Sequence, residues 1–383
     1  MRTAKHILFI CHESSRTGAP ISLLYFIRWI KNNTDQKFVI LIDKGGDLDE
    51  AFRNIGPTYI LRPRRQSLVS KIWAKIGYQS FINNQLKSII DIPFSIIYNN
   101  TIANGILLET LKKETQAYVF THIHELESVI QSSGGKNIRL VKKYTNHFIA
   151  ASIAVKNNLI HNHQILDKNI TIHYECIEFI PDTSGRNETT MHLPLNKSDF
   201  IIGGAGFVDY RKGFDLYLET AKKLINENYQ TDFKFIWVGG FGRNIQKMVA
   251  DYIRSHNLTN HVFFLGEKKN PYPYYQMFDL FYLTSREDPF PLVMLENASL
   301  GKTIIGFRGT GGFEEFVDYD SDLLIDSFDI QQATDVIIKL KNNETTSAKV
   351  GNRLKNKVYE KYMMGSNGMK YFSRIKQLAG YVE

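Results

Sequence analysis

The chain has 383 residues, of which 43% are hydrophobic and 22% are charged, and its formal net charge is +8. This composition excludes disordered and fibrous classes, and the length predicts two ordinary domains. The two cysteines, Cys11 and Cys176, lie in apolar runs, which indicates buried thiols in a reducing compartment and excludes a disulfide framework. The basic residues form no recognised nucleic-acid motif, so no nucleic-acid partner is expected.

Short β-branched and aromatic runs alternate with helical stretches along the whole chain, which predicts βαβ units and parallel sheets. The first half offers the strands HILFICH, KFVILID, TYILRP, SIIYNN, AYVFTHI, HFIAAS and ITIHYECI. The second half offers DFIIGGAG, FKFIWVGG, HVFFLG, DLFYLTS, KTIIGF and DLLID. A polar, aperiodic stretch between them predicts one doubly wound α/β domain over 1–181, a linker over 182–197 and another domain over 198–364. Ligands bind such sheets at the carboxyl ends of the strands.

A basic segment begins at Arg62 and runs to Ser88, with six basic residues and no acidic one. Such a segment attracts anionic lipid or polyanions, and a solvated helix face is the alternative interpretation. No stretch reaches the ~18 uninterrupted apolar residues of a spanning helix. We therefore expect a cytoplasmic protein that contacts the inner face of a membrane, if it contacts one at all, through a few cations of this segment: Arg62, Arg64, Arg65, Lys71 and Lys75.

An acidic pair follows the predicted strand DLFYLTS, and a third acid lies in the helix after it. Glu287 and Asp288 precede a proline-flanked turn, and seven residues separate Asp288 from Glu296. The neighbours of Glu296 are apolar, which favours a buried carboxylate over a solvated one. Carboxylates accept hydrogen bonds from two hydroxyls at once, which suits a ribose diol or a sugar.

This segment resembles the acid–seven residues–acid motif of the retaining GT-B glycosyltransferases of family four. The resemblance implies that Glu296 binds the nucleotide ribose and that Asp288 lies beside the donor sugar, with Pro291 and Leu292 in the same donor-binding segment. The family usually has Glu at the first acidic position. Asp288 is one methylene shorter, and adjacent Glu287 can share its role.

A glycine-rich turn, GAGFVDYRKGFD, connects a strand to a helix at residues 204–215. Glycines let the backbone approach a ligand, and a helix N-terminus favours an anion. Gly206, Gly213, Arg211 and Lys212 are therefore candidate contacts for a diphosphate. The family carries an Arg a few residues ahead of its Lys-Gly pair; Lys212 and Gly213 match, whereas Phe207 stands at the Arg position, so Arg211 is the expected substitute.

Two segments of the first half resemble the family less closely. The turn SSRTGAPISLL resembles the family's first glycine loop, which implies that Gly18 approaches the donor phosphate and the acceptor, and Arg16 adds charge. In VFTHIHELESV, His122 and His124 are two apart on a strand end and face the same side. The family often places a His there against the donor sugar, and His124 fits best, although a core histidine is the alternative.

The remaining signals are a glycine-pair loop, a second histidine pair and the last helix. The loop FRGTGGFEEFVD resembles a family loop whose amides contact phosphate or sugar, so Gly309, Gly311 and Gly312 are expected to keep free N–H groups. His161 and His163 have no evident third ligand, and no metal site is predicted. By family analogy, a C-terminal helix at about 365–383 crosses back to the first domain.

The resemblance implies a GT-B fold in which two Rossmann-like domains face a cleft. It also implies a metal-independent transfer, with retention, of a sugar from a nucleotide diphosphate-sugar to a glycan or glycolipid, in bacterial surface polysaccharide synthesis. No cofactor is expected beyond the donor substrate. Two alternatives stay open, a non-catalytic nucleotide-sugar-binding partner of another glycosyltransferase and a GT-B nucleotide-sugar epimerase. A dehydrogenase built on two Rossmann halves is disfavoured, because neither glycine-rich turn of this sequence gives a clean G-x-G-x-x-G with an acid about twenty residues further on.

Overall fold

The structure is a computed structural model that describes residues 6–64, 85–181, 193–227, 232–326 and 328–381. The chain divides into two compact units, one formed by Met1–Cys176 with Met364–Glu383 and the other by Ile177–Met363. Residues 182–192 of the expected linker, and the basic candidates Arg65, Lys71 and Lys75, lie outside the described residues.

The first unit contains a parallel sheet of seven strands. These are β1 (His6–Glu13), β2 (Phe38–Lys44), β3 (Thr58–Arg62), β4 (Phe94–Asn99), β5 (Tyr118–Ile123), β6 (His147–Ala150) and β7 (Ile170–Ile172). Their order in the sheet is β3-β2-β1-β4-β5-β6-β7. Strand β1 is central: Phe9 pairs with Ile40 of β2 on one side and with Tyr98 of β4 on the other. The order reverses direction beside β1, as in a doubly wound fold.

Helices cover both faces of this sheet. They are α1 (Gly18–Asn33), α2 (Asp49–Ile55), α3 (85–90), α4 (Gly105–Glu114), α5 (Glu127–Ser132), α6 (Gly135–Tyr144), α7 (Ile153–His161) and the C-terminal α15 (Met364–Leu378), with short 3₁₀ turns at Ile102–Asn104 and Asp167–Asn169. Because both faces are covered, the strands are near-continuous apolar runs, as parallel strands generally are. One core includes α1, α2 and α15, and the other lies on the opposite face.

The C-terminal helix packs on α1 within the first unit, as the sequence predicted. The ring centroids of Phe26 and Tyr371 are 4.7 Å apart, and those of Trp29 and Phe372 are 6.4 Å apart. A methyl group on Gly368 would lie 2.3 Å from a ring carbon of Trp29, so the helix approaches the indole as closely as a glycine allows.

The second unit repeats the plan with a six-stranded parallel sheet. Its strands are β8 (Phe200–Ala205), β9 (Phe233–Val238), β10 (Val262–Phe264), β11 (Leu280–Leu283), β12 (Thr303–Phe307) and β13 (Leu324–Ile325), in the order β10-β9-β8-β11-β12-β13. Its helices are α8 (Phe214–Lys222), continued by a π-turn at Lys223–Glu227, α9 (Ile245–Ser255), α10 (Tyr272–Gln276), α11 (Leu292–Ser299), α12 (Phe313–Phe316), α13 (Ile330–Lys341) and α14 (Glu344–Lys361).

Each of the thirteen strands in the described residues overlaps one of the thirteen runs read from the sequence, although β7 ends at Ile172 and its run continues to Ile177. The predicted α/β class is confirmed. The two cysteines are free and buried, as expected. Among the described residues, no helix combines the length and apolar character needed to cross a bilayer.

Candidate functional site

The residues proposed for the donor site of the second unit follow β8 and β11. These strands are neighbours, with Ile202 opposite Leu280, and the strand order changes direction between them. Their carboxyl ends are therefore the switch point at which doubly wound sheets bind ligands. The glycine loop after β8 ends at Gly213, whose φ is +72° and whose added Cβ would lie 2.0 Å from the carbonyl oxygen of Thr284. Only glycine fits this contact.

Hydrogen bonds tie the glycine loop to the acidic loop after β11. The backbone N–H of Arg286 donates to the carbonyl of Arg211 at 2.7 Å, and Nη1 of Arg211 donates to the carbonyl of Glu287 at 2.9 Å. Thr284 Oγ1 donates to the carbonyl of Lys212 at 2.8 Å. One guanidinium nitrogen of Arg211, the expected phosphate contact, is thus used to hold the acidic loop.

Lys212 and Asp288 form an ion pair in the middle of these bonds. Lys212 Nζ donates to Asp288 Oδ2 at 2.5 Å, and the side chains are 12% and 8% exposed. Ser285 Oγ donates to the same carboxylate oxygen at 3.0 Å. A Cβ on Gly206 would lie 3.3 Å from Cε of Lys212, so this glycine leaves room beside the lysine stem. The two residues chosen on sequence from separate motifs are therefore in direct contact.

Glu296 is the buried acid on α11. Its side chain belongs to a residue only 7% exposed, and burial raises its pKa to about 7. Within the described part of the chain, no group donates a hydrogen bond to its carboxylate. Helix α11 begins at Leu292, after Pro291, and both of those residues are buried. A buried carboxyl group with unused acceptor oxygens is suited to a ligand that brings its own hydroxyl donors.

The glycine-pair loop is closed more tightly than the sequence suggested. Gly311 pairs with Asp288 in a β-bridge, and the N–H of Gly312 donates to the carbonyl of Asp288 at 3.2 Å. The N–H of Gly309 donates to Oε2 of Glu314 at 2.9 Å, where α12 begins. The expectation of free N–H groups is therefore wrong for Gly309 and Gly312, because the loop satisfies them with the acidic loop and with its own helix.

The sequence did not reveal how Arg286 is held. Arg286 forms a bidentate contact with Asp215 on α8, with both N···O distances 2.7 Å, and Nη1 also reaches the carbonyl of Tyr210. This contact anchors the residue next to Glu287. Phe207, at the position where the family has Arg, is 48% exposed, so an apolar ring occupies the surface expected to carry a cation.

In the first unit, the candidates lie at the carboxyl ends of β1 and β5. Gly18 begins α1, and a Cβ there would meet nothing within 4 Å, so the backbone is open to approach. His122 and His124 face the same side, with ring centroids 3.9 Å apart, as their spacing predicted. Nδ1 of His124 is hydrogen-bonded to a carboxylate oxygen of Glu175, and Nε2 lies 2.9 Å from Oδ1 of Asn100. Glu175 and Asn100 were not singled out on sequence.

Charge differs sharply between the neighbouring histidines. Burial and the nearby His124 lower the pKa of His122 far below its usual range, and burial with His124 lowers that of His173 to about 3. For His124, burial acts in the same direction, but Glu175 outweighs it and raises the pKa. Among the described residues, the side-chain nitrogen and oxygen atoms of His122, His124 and Glu175 lie within 4.8 Å of one another. The sequence did not predict that Glu175 joins the two histidines.

The two histidines of the other pair, His161 and His163, differ in burial and in hydrogen bonding. His163 is buried and its Nε2 lies 2.9 Å from a carboxylate oxygen of Glu127, whereas His161 is exposed at the end of α7. This arrangement fits a structural hydrogen bond and gives no ligand set around His161.

Comparison with known proteins defines the class. Over 97% of this chain and 99% of the other, the structure superimposes on HepE from Anabaena, solved with UDP and glucose, with a TM-score of 0.81 and 16% identity. Over 98% of this chain and 99% of the other, it superimposes on TarM from Staphylococcus aureus with a TM-score of 0.71 and 13% identity. Together with the two Rossmann-like sheets, these matches identify a GT-B protein.

Residues 186–357, which overlap most of the second unit, match the family described as glycosyl transferases group 1. A poly(ribitol-phosphate) alpha-N-acetylglucosaminyltransferase of S. aureus is 26% identical over 43% of this chain and 33% of its own length. An Escherichia coli UDP-Gal:alpha-D-GlcNAc-diphosphoundecaprenol alpha-1,3-galactosyltransferase is 22% identical over 94% of this chain and 95% of its own. The chain spans about a third of the length of the first three curated relatives it matches.

Proposed function

We propose that the protein is a retaining glycosyltransferase that moves a sugar from a nucleotide diphosphate-sugar to a glycan or glycolipid acceptor of surface polysaccharide synthesis. The single observation that carries this proposal is the site at the switch point of the second sheet. There Lys212 and Asp288 are paired at 2.5 Å, beside Gly206 and near the start of the helix that bears the buried carboxyl group of Glu296.

In this proposal Glu296 accepts hydrogen bonds from the ribose diol, since the residue is only 7% exposed and its carboxylate accepts no hydrogen bond from the described residues. Lys212 lies beside the diphosphate and stabilises the charge that grows on it as the sugar leaves. Asp288, with Glu287 next to it, faces the donor sugar. Arg211 shares the phosphate contact through the guanidinium nitrogens not bound to the carbonyl of Glu287.

The donor base proposed is uracil, since HepE was solved with UDP and the E. coli relative is named for a UDP-galactose donor. The acceptor class proposed follows from the relatives' names, which include a poly(ribitol-phosphate), a galactosylglucosyldiacylglycerol and a diphosphoundecaprenol-linked sugar. No metal or organic cofactor is required in this scheme, because side chains neutralise the leaving diphosphate. Contact with an anionic membrane surface through the basic segment that includes Arg62 and Arg64 is part of the proposal.

The test is a thermal-shift panel with UDP, GDP, dTDP and CMP and their sugar conjugates, without added metal. A ligand at a hundred times its dissociation constant stabilises the fold by about 2.7 kcal/mol. We expect UDP and one UDP-sugar to raise the melting temperature above the others. Incubation of that UDP-sugar with an acceptor extract, followed by NMR of the product's anomeric proton, then checks retention. A melt that no nucleotide shifts contradicts the donor site.

Two departures from the family pattern support a second candidate, a non-catalytic binding partner. Phe207 stands where the family has a phosphate-contacting Arg, and Asp288 replaces the usual Glu. A protein of that kind binds the UDP-sugar and never releases UDP, with or without acceptor. A GT-B epimerase, in contrast, converts the UDP-sugar in the absence of an acceptor, so the same incubation separates all three.

A further inference from the structure

The buried side chain of His124 has partners at both ring nitrogens. Nδ1 is paired with Glu175, and each of these two side chains is 6% exposed. Nε2 lies 2.9 Å from Oδ1 of Asn100. The question is which protons the ring carries, since a neutral imidazole has one N–H and one acceptor nitrogen.

The amide of Asn100 answers this for Nε2. Nδ2 of Asn100 donates to the carbonyl of Ala19 at 2.9 Å, and a carbonyl can only accept. Flipping the amide would place two oxygens against each other, so Oδ1 is the atom that faces His124. An oxygen acceptor at 2.9 Å requires an N–H on Nε2.

The carboxylate of Glu175 answers it for Nδ1. Ser22 Oγ donates to one oxygen of Glu175, and Nδ1 of His124 lies against the other. If Nδ1 carried no proton, its lone pair would face a carboxylate oxygen in a buried place. A proton on Nδ1 converts that repulsion into a charge-assisted hydrogen bond.

The neighbouring groups favour a positive charge on the His124 ring over one on the other histidines. The titratable groups around it are His122 on β5, His12 at the end of β1, Glu125 beside it, and His173 and Glu175 after β7. The hydrogen-bonded pair Tyr98 and Tyr371 lies against His122. Burial lowers the pKa values of His122, His173 and His12, which disfavours a positive charge on each of them. Glu125 accepts the backbone N–H of His124 at 2.9 Å, which adds negative potential beside the ring.

From this geometry we propose that Glu175 is a positioning residue that keeps His124 doubly protonated. His124 then presents a positive charge and an N–H donor, and not a general base, to a ligand at the carboxyl end of the first sheet. The hydrogen bond from Nε2–H to Asn100 is the one that a ligand can replace, because its acceptor is a neutral amide oxygen. A sugar hydroxyl or a phosphate oxygen is the chemical class that could take its place. The role in catalysis rests on the proposed function, whereas the protonation state does not.

The test reads the proton directly. NMR of the ring nitrogens in protein labelled at histidine, assigned with His124→Asn, follows each histidine through a pH titration. In the wild-type protein we expect His124 to stay doubly protonated at about pH 7.5, where an unperturbed histidine is mostly neutral. In Glu175→Gln, which keeps the shape of the side chain, it should lose that proton at a lower pH than in the wild type.

The matched control is Glu127→Gln, which removes the carboxylate that faces His163 in the same unit and should leave His124 unchanged. Ser22→Ala is a milder change on the same carboxylate, and it keeps the proposal testable if Glu175→Gln fails to fold. Because it removes a hydrogen-bond donor from Glu175, it should leave His124 doubly protonated or raise the pH at which His124 loses its proton. A neutral His124 in the wild type, or an unaltered titration in Glu175→Gln, overturns the proposal. A ring signal that changes on addition of EDTA also overturns it, since a metal would then occupy the place of the proton.

The catalytic consequence has its own readout. We expect the kcat of the wild type to change little between about pH 6 and 8, and that of Glu175→Gln to fall as the pH rises through the same range. UDP affinity of the second unit should be the same in both. An absence of transferase activity in the wild type would refute the proposed function and leave the NMR result standing.

Discussion

Lys212 donates to Asp288 at 2.5 Å, and this buried pair joins the glycine loop of the second unit to its acidic loop. The lysine charge is therefore neutralised within the protein until a more negative group arrives. A diphosphate carries more negative charge than one carboxylate, so it competes effectively for the ammonium. Removing one partner of a buried pair leaves the other uncompensated and costs about 3–5 kcal/mol.

Lys212→Met is the first variant to measure, because it keeps the stem and removes the charge. We expect turnover to fall more than donor affinity, since the charge on the leaving diphosphate is larger in the transition state than in the bound donor. Steady-state kinetics and a separate binding measurement for UDP check this. Lys222→Met, which removes a surface lysine paired with Glu219, is the control and should keep wild-type values. Normal turnover in Lys212→Met would remove the lysine from the mechanism.

Stability separates this effect from simple unfolding. Lys212→Met and Asp288→Asn should each destabilise the second unit, and the double variant should be less destabilised than the two single costs added together. Denaturation monitored for each variant gives that coupling. Strict additivity would mean that the two side chains do not interact in solution.

Glu296→Gln tests the ribose contact. A hydrogen bond to a charged group contributes about 1.5–3 kcal/mol, so the dissociation constant for UDP should rise by roughly ten- to a hundredfold. Because burial raises the pKa of Glu296 to about 7, wild-type affinity for UDP should fall as the pH drops below that value. Calorimetric titration at several pH values checks both points. Glu360→Gln, at an exposed position of α14, should show neither effect.

The same carboxyl group links stability to pH. Its pKa is about 7 in the folded protein, against a usual 4.5, so between those values the folded state holds a proton that the unfolded state has released. The free energy of unfolding should therefore fall as the pH rises from about 4.5 to 7, by on the order of 3 kcal/mol from this group. Glu296→Gln should abolish that part of the slope. An unchanged slope would mean that Glu296 titrates normally.

The fold could be predicted because the central strands are buried on both faces, so that each appears in the sequence as an apolar run between turns. The burial of Glu296 was also readable, from the apolar residues on either side of it in α11. The spacing of His122 and His124 placed them together correctly. In each case the information is local, within about one turn or one strand.

The site residues that the sequence did not predict contact partners that are far away along the chain. Glu175 meets His124 across 51 residues, and Arg286 meets Asp215 across 71. Glu175 was read as part of a strand, but β7 ends at Ile172, which leaves Glu175 in a loop. Such pairings depend on how the sheet is ordered, so residue type and spacing alone do not reveal them.

The C-terminal helix gives a prediction with a control on the same helix. An added methyl group at Gly368 would lie 2.3 Å from the Trp29 ring, whereas one at Gly365 would meet nothing within 4 Å. Gly368→Ala should destabilise the first unit by about 1–3 kcal/mol through overpacking, in spite of the better helix propensity of alanine. Gly365→Ala should be neutral or stabilise it by up to about 1 kcal/mol. Hydrogen–deuterium exchange of α1 and α15 reports on this unit separately from the other. Equal protection in the two variants would contradict the packing of α15 on α1 at Gly368.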